Sequence, residues 1–154
     1  MNKLLTTLML FTITASVVFA ETKIPVQLIK IKDGDTIDVK IEKNTFPVRL
    51  IGIDCYETGR IHRAYRQAYD NNLSIDEVIA RGKQSTAYLE NLYRANKNNQ
   101  VYIDFKGVDI YGRALGVIYF DKLNVNEDLQ KNGGCMIYDL SLIHISEPTR
   151  RTPI

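Results

Sequence analysis

Residues 37–57 read IDVKIEKNTFPVRLIGIDCYE, and this stretch decides the fold class. Apolar and polar side chains alternate over residues 37–41 and again over residues 46–50. A period of two residues is typical of half-buried β-strands. The intervening residues 42–45, EKNT, have the composition of a turn. The stretch therefore predicts two antiparallel strands that are joined by a hairpin.

The flanking residues extend this pattern in both directions. A third alternating run covers residues 24–28 and is separated from residue 37 by the turn sequence KDGD at residues 32–35. Further apolar runs at residues 101–105 and 115–120 predict two more strands that pair across a glycine-containing loop. The chain thus has five predicted strands, of which the first three form a meander.

Helical signals fall in two places. Ser74 followed by Glu77 is a capping-box pattern, and the apolar spacing after it predicts an amphipathic helix over residues 75–95, with Gly82 as a weak point. Residues 124–134, NVNEDLQKNGG, predict a short helix that Asn124 or Asn126 caps and a glycine ends. Residues 58–73 are polar and are interpreted as a loop or an irregular helix.

The order of these elements predicts a mainly β fold with helices. Five strands, with a helix inserted after the third and a short helix at the C-terminal end, favour a small closed five-stranded barrel of the OB type. An open meander with one covering helix is the alternative, because strand alternation alone does not distinguish the two.

Composition adds a domain plan. Residues 1–20 have a lysine, an apolar stretch and a small-residue cleavage site, which predict a signal peptide rather than a membrane anchor, and hence a periplasmic or secreted protein. Residues 21–139 then form one domain without internal repeats. The formal net charge of +2 argues neither for nor against a nucleic-acid partner.

Charged side chains interrupt the apolar run RLIGIDCYE at residues 49–57. Strand periodicity places Arg49 and Asp54 on opposite faces, so the run is not a strand buried on one side only. We expect both side chains where the barrel surface opens into a cleft, with Glu57 just beyond the strand end. The alternative is that the charges merely keep the strand ends soluble.

Four blocks occur together in a fixed order: KIKDGDTI at residues 30–37, VRLIGIDCYE at 48–57, DIYGRALGVIY at 109–119 and VNEDLQKNGG at 125–134. Together they resemble the staphylococcal-nuclease-like, or thermonuclease, family over roughly residues 26–138, apart from an insert at residues 58–81. The resemblance implies a calcium-dependent phosphodiesterase on an OB-fold barrel, acting on single-stranded or double-stranded DNA and RNA. We expect the chain to be a monomer.

The resemblance assigns roles to individual residues. Asp35 and Asp54 match metal-binding carboxylates, and Cys55 stands where a main-chain carbonyl binds the metal. Glu57 matches the glutamate that orients or deprotonates the attacking water. Arg49 and Arg113 match the two arginines that bind the phosphate. Tyr111 stands where the family has an aromatic residue against the nucleotide.

These residue types suit the chemistry. Calcium prefers carboxylate, carbonyl and water oxygens, and a guanidinium neutralises a phosphodiester with fixed geometry. Asp33 is interpreted as a turn former rather than a ligand. The competing function is a non-catalytic OB-fold module that binds single-stranded nucleic acid. A complete catalytic set argues against it, because a binding module does not require one.

Two cysteines, Cys55 and Cys135, occur in the chain. Two separate thiols are one interpretation. The resemblance places both in segments that run near each other, so a disulfide is the other.

The insert RIHRAYRQAY at residues 60–69 interleaves arginines with tyrosines, a mixture typical of single-strand binding, although a solvated surface helix has the same composition. Residues 140–154 continue no family pattern. The sequence LSLIHISEPTR at residues 140–150 is identified as the translation of a transposase adapter used in sequencing libraries. We therefore expect this tail to be foreign and the last helix of the family to be missing. A chain without that helix is expected to be poorly active.

Overall fold

The computed structural model of the chain describes residues 23–138. The predicted signal peptide over residues 1–20 and the predicted foreign tail over residues 140–154 lie outside the described residues. Within residues 23–138, no helix is long and apolar enough to cross a membrane.

Eight strands and three helices follow one another along these residues. They are β1 Lys23–Ile31, β2 Thr36–Ile41, β3 Asn44–Leu50, β4 Ile53–Asp54, α1 His62–Asp70, α2 Ile75–Ala95, β5 Val101–Val108, β6 Ala114–Phe120, β7 Leu123–Asn124, α3 Val125–Lys131 and β8 Met136–Ile137. The five predicted strands and both predicted helices are confirmed, and the insert contributes α1 as a regular helix.

The five long strands form a closed barrel. Their order is β3-β2-β1-β5-β6, and a parallel pairing of β3 with β6, in which Arg49 faces Leu115, closes the sheet on itself. This closure confirms the OB-type barrel and excludes the open meander. The interior is filled by alternate residues of these strands and by residues from α2 and α3. Its fully buried side chains include Ile37, Val39, Val48, Leu50, Leu89, Ile103, Ile118, Phe120 and Leu129.

The stretch at residues 49–57 is not one continuous strand, so the face assignment made from its alternation is wrong. Strand β3 ends at Leu50, and Gly52 has a φ of 78°, a left-handed conformation that glycine adopts without strain. The chain turns there and begins β4, which pairs with β8 through Ile53 and Ile137. The turn is why Arg49 and Asp54, five residues apart, lie on the same side of the molecule.

Helix α2 begins at the predicted capping box, and Gly82 within it has a packing role that the sequence did not indicate. The Ser74 side chain accepts a hydrogen bond from the Glu77 N–H, and the Glu77 carboxylate accepts one from the Ser74 N–H. The prediction that Gly82 is a weak point of the helix is wrong, because the residues packed against it require a glycine. A Cβ atom at Gly82 would lie 2.3 Å from the Glu57 carbonyl oxygen and 2.5 Å from that of Tyr56. Glycine is therefore what allows the 56–57 main chain to pack directly on α2.

The two asparagines proposed as caps of α3 have different tasks. Asn124 is the N-cap, and its side chain accepts a hydrogen bond from the Glu127 N–H. Asn126 is buried instead, and its amide donates to the carbonyl oxygens of Ile51 and Gly116 while accepting from the Ile118 N–H. Asn126 therefore links α3 to the turn after β3.

Candidate active site

Arg49 forms the centre of the candidate site. Its side chain projects from β3, is only 8% exposed, and contacts two carboxylates: Nη1 lies 2.9 Å from Asp35 Oδ2 and Nη2 lies 3.0 Å from Asp54 Oδ1. Nη1 also donates to the Leu50 carbonyl oxygen at 3.0 Å. A single buried guanidinium therefore brings together the two aspartates that were predicted to bind the metal.

Asp35 is held by the turn that precedes β2. Its Oδ2 accepts a hydrogen bond of 2.7 Å from the Cys55 N–H, and its Oδ1 accepts one from the Thr36 hydroxyl. Asp33 acts as the predicted turn former, because its Oδ1 accepts from the Asp35 N–H at 3.0 Å. Burial raises the pKa of Asp35 to about 7 against the opposing effect of Arg49, and the nearby Asp33 and Asp54 add to the rise. Burial is therefore the main reason why the Asp35 carboxyl group holds its proton more readily than an exposed aspartate does.

Cys55 forms a disulfide, and its main-chain carbonyl is predicted to bind the metal. Its sulfur forms a disulfide with Cys135, which resolves the question that the sequence left open. Gly34 of the DGD turn packs against this bridge, since a Cβ there would lie 2.9 Å from the Cys55 sulfur. The Cys55 carbonyl oxygen, the predicted metal ligand, accepts a hydrogen bond from Gln67 Nε2 at 3.0 Å. The bridge therefore anchors the main chain next to Asp54.

Glu57 lies beyond β4 in a half-buried position, where Arg63 pairs with both Glu57 and Asp54. Burial raises the pKa of its carboxyl group, Arg63 lowers it, and Asp33 and Asp54 raise it further. The net direction is upward. A carboxylate with a raised pKa accepts a proton more readily at neutral pH, which suits the role predicted for Glu57.

Two residues of α1 belong to the site and were not assigned to it from sequence. Arg63 forms ion pairs with Asp54 and with Glu57, the latter at 3.4 Å. Gln67, one turn further along α1, donates to the Cys55 carbonyl oxygen and accepts from the Glu57 N–H at 2.9 Å. The four-residue spacing of these polar side chains was a helical signal, but the sequence did not indicate which face of α1 would meet the site.

Arg113 and Tyr111 lie outside this cluster, on the loop between β5 and β6. Arg113 Nε donates to Asp109 Oδ2 at 2.7 Å, and its guanidinium stands 5.6 Å from the centre of the Tyr111 ring. Leu115, two residues after Arg113, is the register partner of Arg49. Ala114, the residue after Arg113, is the register partner of Val48, so the loop ends beside the strand that carries Arg49. Their roles at the site stay predictions.

The donor set fits a hard divalent cation. Among residues 23–138, no group of three or more His, Cys, Asp or Glu side chains is arranged to bind a metal. The predicted set needs only two carboxylates, with a main-chain carbonyl and water supplying the remaining oxygens. Asp35 and Asp54 meet across one guanidinium, and the Cys55 carbonyl is adjacent to Asp54. These oxygen donors suit a hard divalent ion, the class to which calcium belongs.

Comparison with known proteins shows the family of this chain. A family model described as "Staphylococcal nuclease homologue" matches residues 47–148. The chain belongs to this family. The matched range includes residues 140–148, which the sequence interpretation assigned to a foreign tail, and that interpretation stays a prediction.

Three individual proteins are similar in sequence to the chain. The chain is 36% identical over 93 residues to "Micrococcal nuclease" of Shigella flexneri, an alignment that covers 60% of this chain and 41% of the relative. It is 30% identical over 139 residues to "Uncharacterized endonuclease" of Haemophilus influenzae, covering 89% of this chain and 65% of the relative. "Protein ParB" of Escherichia coli is 33% identical over 93 residues, which is 60% of this chain and 40% of that protein. The chain spans less than two thirds of the length of each of these relatives.

Proposed function

We propose that the chain is an exported calcium-dependent nuclease that hydrolyses phosphodiester bonds of DNA and RNA. One observation carries the proposal: the buried Arg49 guanidinium joins Asp35 and Asp54 beside a half-buried Glu57. Burying charges such as those of Arg49 and Asp35 costs free energy, which favours a site whose charges are used in the reaction. The family match and the nuclease names of relatives support the same reaction class.

Asp35, Asp54 and the Cys55 carbonyl oxygen are the groups that would bind calcium. Once bound there, the ion supplies positive charge that offsets the charge of the phosphate and polarises it toward attack. Arg49 pairs with both aspartates and so offsets part of their mutual repulsion, and a bound divalent ion would offset more of it.

The remaining residues bind the phosphate and move the proton. Glu57 accepts the proton of the attacking water or orients that water, and its raised pKa favours proton transfer. Arg49 and Arg113 bind the non-bridging phosphate oxygens, and Tyr111 lies against the nucleotide. Tyr111 is 78% exposed, so its ring is accessible to a base.

A single-strand-binding module remains the second candidate because α1 offers an aromatic surface. Tyr65 and Tyr69 are one helical turn apart, and Tyr69 is 88% exposed. Stacking of bases on such rings is sequence-tolerant and does not require catalysis. The same surface also serves a nuclease that acts on single strands, so binding and cleavage must be measured separately.

The test is hydrolysis of a single-stranded oligonucleotide by the full chain, with calcium and with a chelator. We expect calcium-dependent cleavage, slow because this chain is expected to be poorly active, and none with the chelator. Glu57→Gln should reduce the rate by a factor of about 100 or more while oligonucleotide binding is retained. Tyr69→Ala is the control, and it should weaken binding without removing calcium dependence.

Tight binding without cleavage in wild type, under every divalent cation tried, would establish the binding module instead. Size-exclusion chromatography of the same sample tests the proposed monomer. Recovery of the processed chain outside the cytoplasm tests the proposed export.

A further inference from the structure

We propose that Gln67 of the inserted helix α1 is a positioning residue, which fixes the main chain of the 55–57 loop for catalysis. The inference rests on the proposed nuclease function and adds a residue that the family resemblance did not assign. It follows from the contacts of a single side-chain amide.

Gln67 touches three functional positions at once. Its Oε1 accepts a hydrogen bond from the Glu57 N–H at 2.9 Å, and its Nε2 donates to the Cys55 carbonyl oxygen at 3.0 Å. Nε2 also lies 3.5 Å from Asp54 Oδ2. Only 6% of Gln67 is exposed, so water competes little for these bonds.

The two main-chain contacts are of opposite polarity. The planar amide places its donor and its acceptor at a fixed distance, so both bonds form only when the Cys55 carbonyl and the Glu57 N–H stand at the matching separation. The contacts therefore restrict the direction of the carbonyl proposed to bind calcium. They also fix the main chain of Glu57, and with it the point at which the Glu57 side chain is attached.

The amide itself has a rigid support. Ala64 and Ala68, on the adjacent face of α1, are buried in a small cluster with Tyr56 and Val78. This cluster packs α1 against α2 and against the loop that Gln67 contacts. A positioning side chain needs such support, because a mobile amide would not restrict its partners.

Arg63 provides an internal contrast on the same face of α1. Its ion pairs are with two side chains, those of Asp54 and Glu57, and it carries the positive charge that a calcium ion would also bring. Loss of Arg63 removes a competitor for Asp54, whereas loss of Gln67 releases the main chain. The two substitutions should therefore shift calcium affinity in opposite directions, which a helix that merely covers the site would not do.

The experiment compares Gln67→Met, which keeps the side-chain length but loses both main-chain bonds, with Gln84→Met on the exposed surface of α2 as the matched control. Hydrogen–deuterium exchange of the calcium-free full chain measures directly how firmly Gln67 holds the main chain of residues 55–57. Calorimetric titration with calcium chloride and oligonucleotide cleavage then measure its consequence, and Arg63→Gln is titrated in parallel.

We expect faster exchange over residues 55–57 in Gln67→Met, calcium affinity lower by about tenfold, and a fall in kcat with KM nearly unchanged. Gln84→Met should match wild type, and Arg63→Gln should bind calcium more tightly. If Gln67→Met does not fold, Gln67→Asn, whose shorter amide reaches neither partner, should give the same shifts.

Unchanged exchange at residues 55–57 would overturn the inference, whatever the protein's activity. Faster exchange with unchanged calcium affinity and kcat would also overturn it, since the loop would then not need fixing. If wild type neither binds calcium nor cleaves the oligonucleotide, the proposed function fails, and the exchange result alone then decides whether Gln67 fixes the loop.

Discussion

Arg49 and Arg113 have the same proposed task but stand in opposite surroundings. Arg49 is buried and shared between Asp35 and Asp54, which are 14 and five residues away in sequence and reach it only through folding. Arg113 is partly exposed and pairs with Asp109, four residues earlier in the same loop. Burial acts to raise the pKa of Asp109, but the Arg113 and Tyr111 N–H groups and the Arg113 guanidinium outweigh it and lower that pKa.

This contrast separates two kinds of contribution to one site. The region around Arg49 is part of the packed fold, because the 54–57 segment is held by the disulfide, packs on Gly82 and is hydrogen-bonded to Gln67. The 109–113 loop makes its polar contacts within itself. Damage near Arg49 should therefore cost stability and activity together, whereas damage at Arg113 should cost activity alone.

Arg49→Met should have the largest effect. It leaves the buried Asp35 without its counter-ion and Asp54 with Arg63 alone, so we expect the free energy of unfolding to fall by about 3–5 kcal/mol and cleavage to be lost. Urea denaturation measures the first effect and the oligonucleotide assay the second. Arg49→Lys, which keeps the charge but not the two-pronged geometry, should recover part of the stability only. Wild-type stability in Arg49→Met would show that the cluster is not integral to the fold.

Removing the disulfide should have the next largest effect. The bridge closes a loop of 80 residues between Cys55 and Cys135, and in the chain-entropy model its loss costs about 4 kcal/mol. The paired Cys55→Ser and Cys135→Ser variant should therefore melt well below wild type. Reductant added to wild type should reproduce the shift, and equal melting curves with and without the bridge would contradict the prediction.

Gly82→Ala tests the packing of the loop on α2 through the sign of its effect. Helix propensity alone predicts a gain of about 1 kcal/mol for alanine in a helix interior. Because the new methyl group would overlap the Glu57 and Tyr56 carbonyl oxygens, we expect a loss of about 1–3 kcal/mol instead. Gly59→Ala, at a position where nothing lies within 4 Å of the added atom, is the control. A stabilised Gly82→Ala protein would show that the close approach is not required.

Arg113→Ala should change stability least. Its pair with Asp109 is local and partly exposed, so we expect less than about 0.5 kcal/mol of destabilisation. The cleavage rate should nevertheless fall by about 100-fold, since a positioned charge at the phosphate is lost. Arg94→Ala at the end of α2 controls for the loss of one positive charge. Normal cleavage by Arg113→Ala would remove it from the mechanism, and marked unfolding would remove the contrast with Arg49.

The fold was predictable to the extent that its signals are local. Alternation over residues 37–50 marked β2 and β3, and Ser74 with Glu77 marked the start of α2, because strand period and helix capping depend on near neighbours in sequence. The face assignment across Gly52 failed for the same reason, since one left-handed residue ended a pattern that looked continuous. Gly82 was misjudged because the atoms that require a glycine there belong to residues 56 and 57.

The sequence by itself determined the kinds of residue at the site, and four ordered blocks were enough to indicate the family to which the chain belongs. Tertiary structure alone decided that Arg49 lies between Asp35 and Asp54, that Cys55 pairs with Cys135, and that α1 presents Arg63 and Gln67 to the site. The physical reason is distance along the chain. Residue type, strand period and capping follow from local chemistry, whereas the partners of a buried charge are set by barrel closure, which depends on every strand at once.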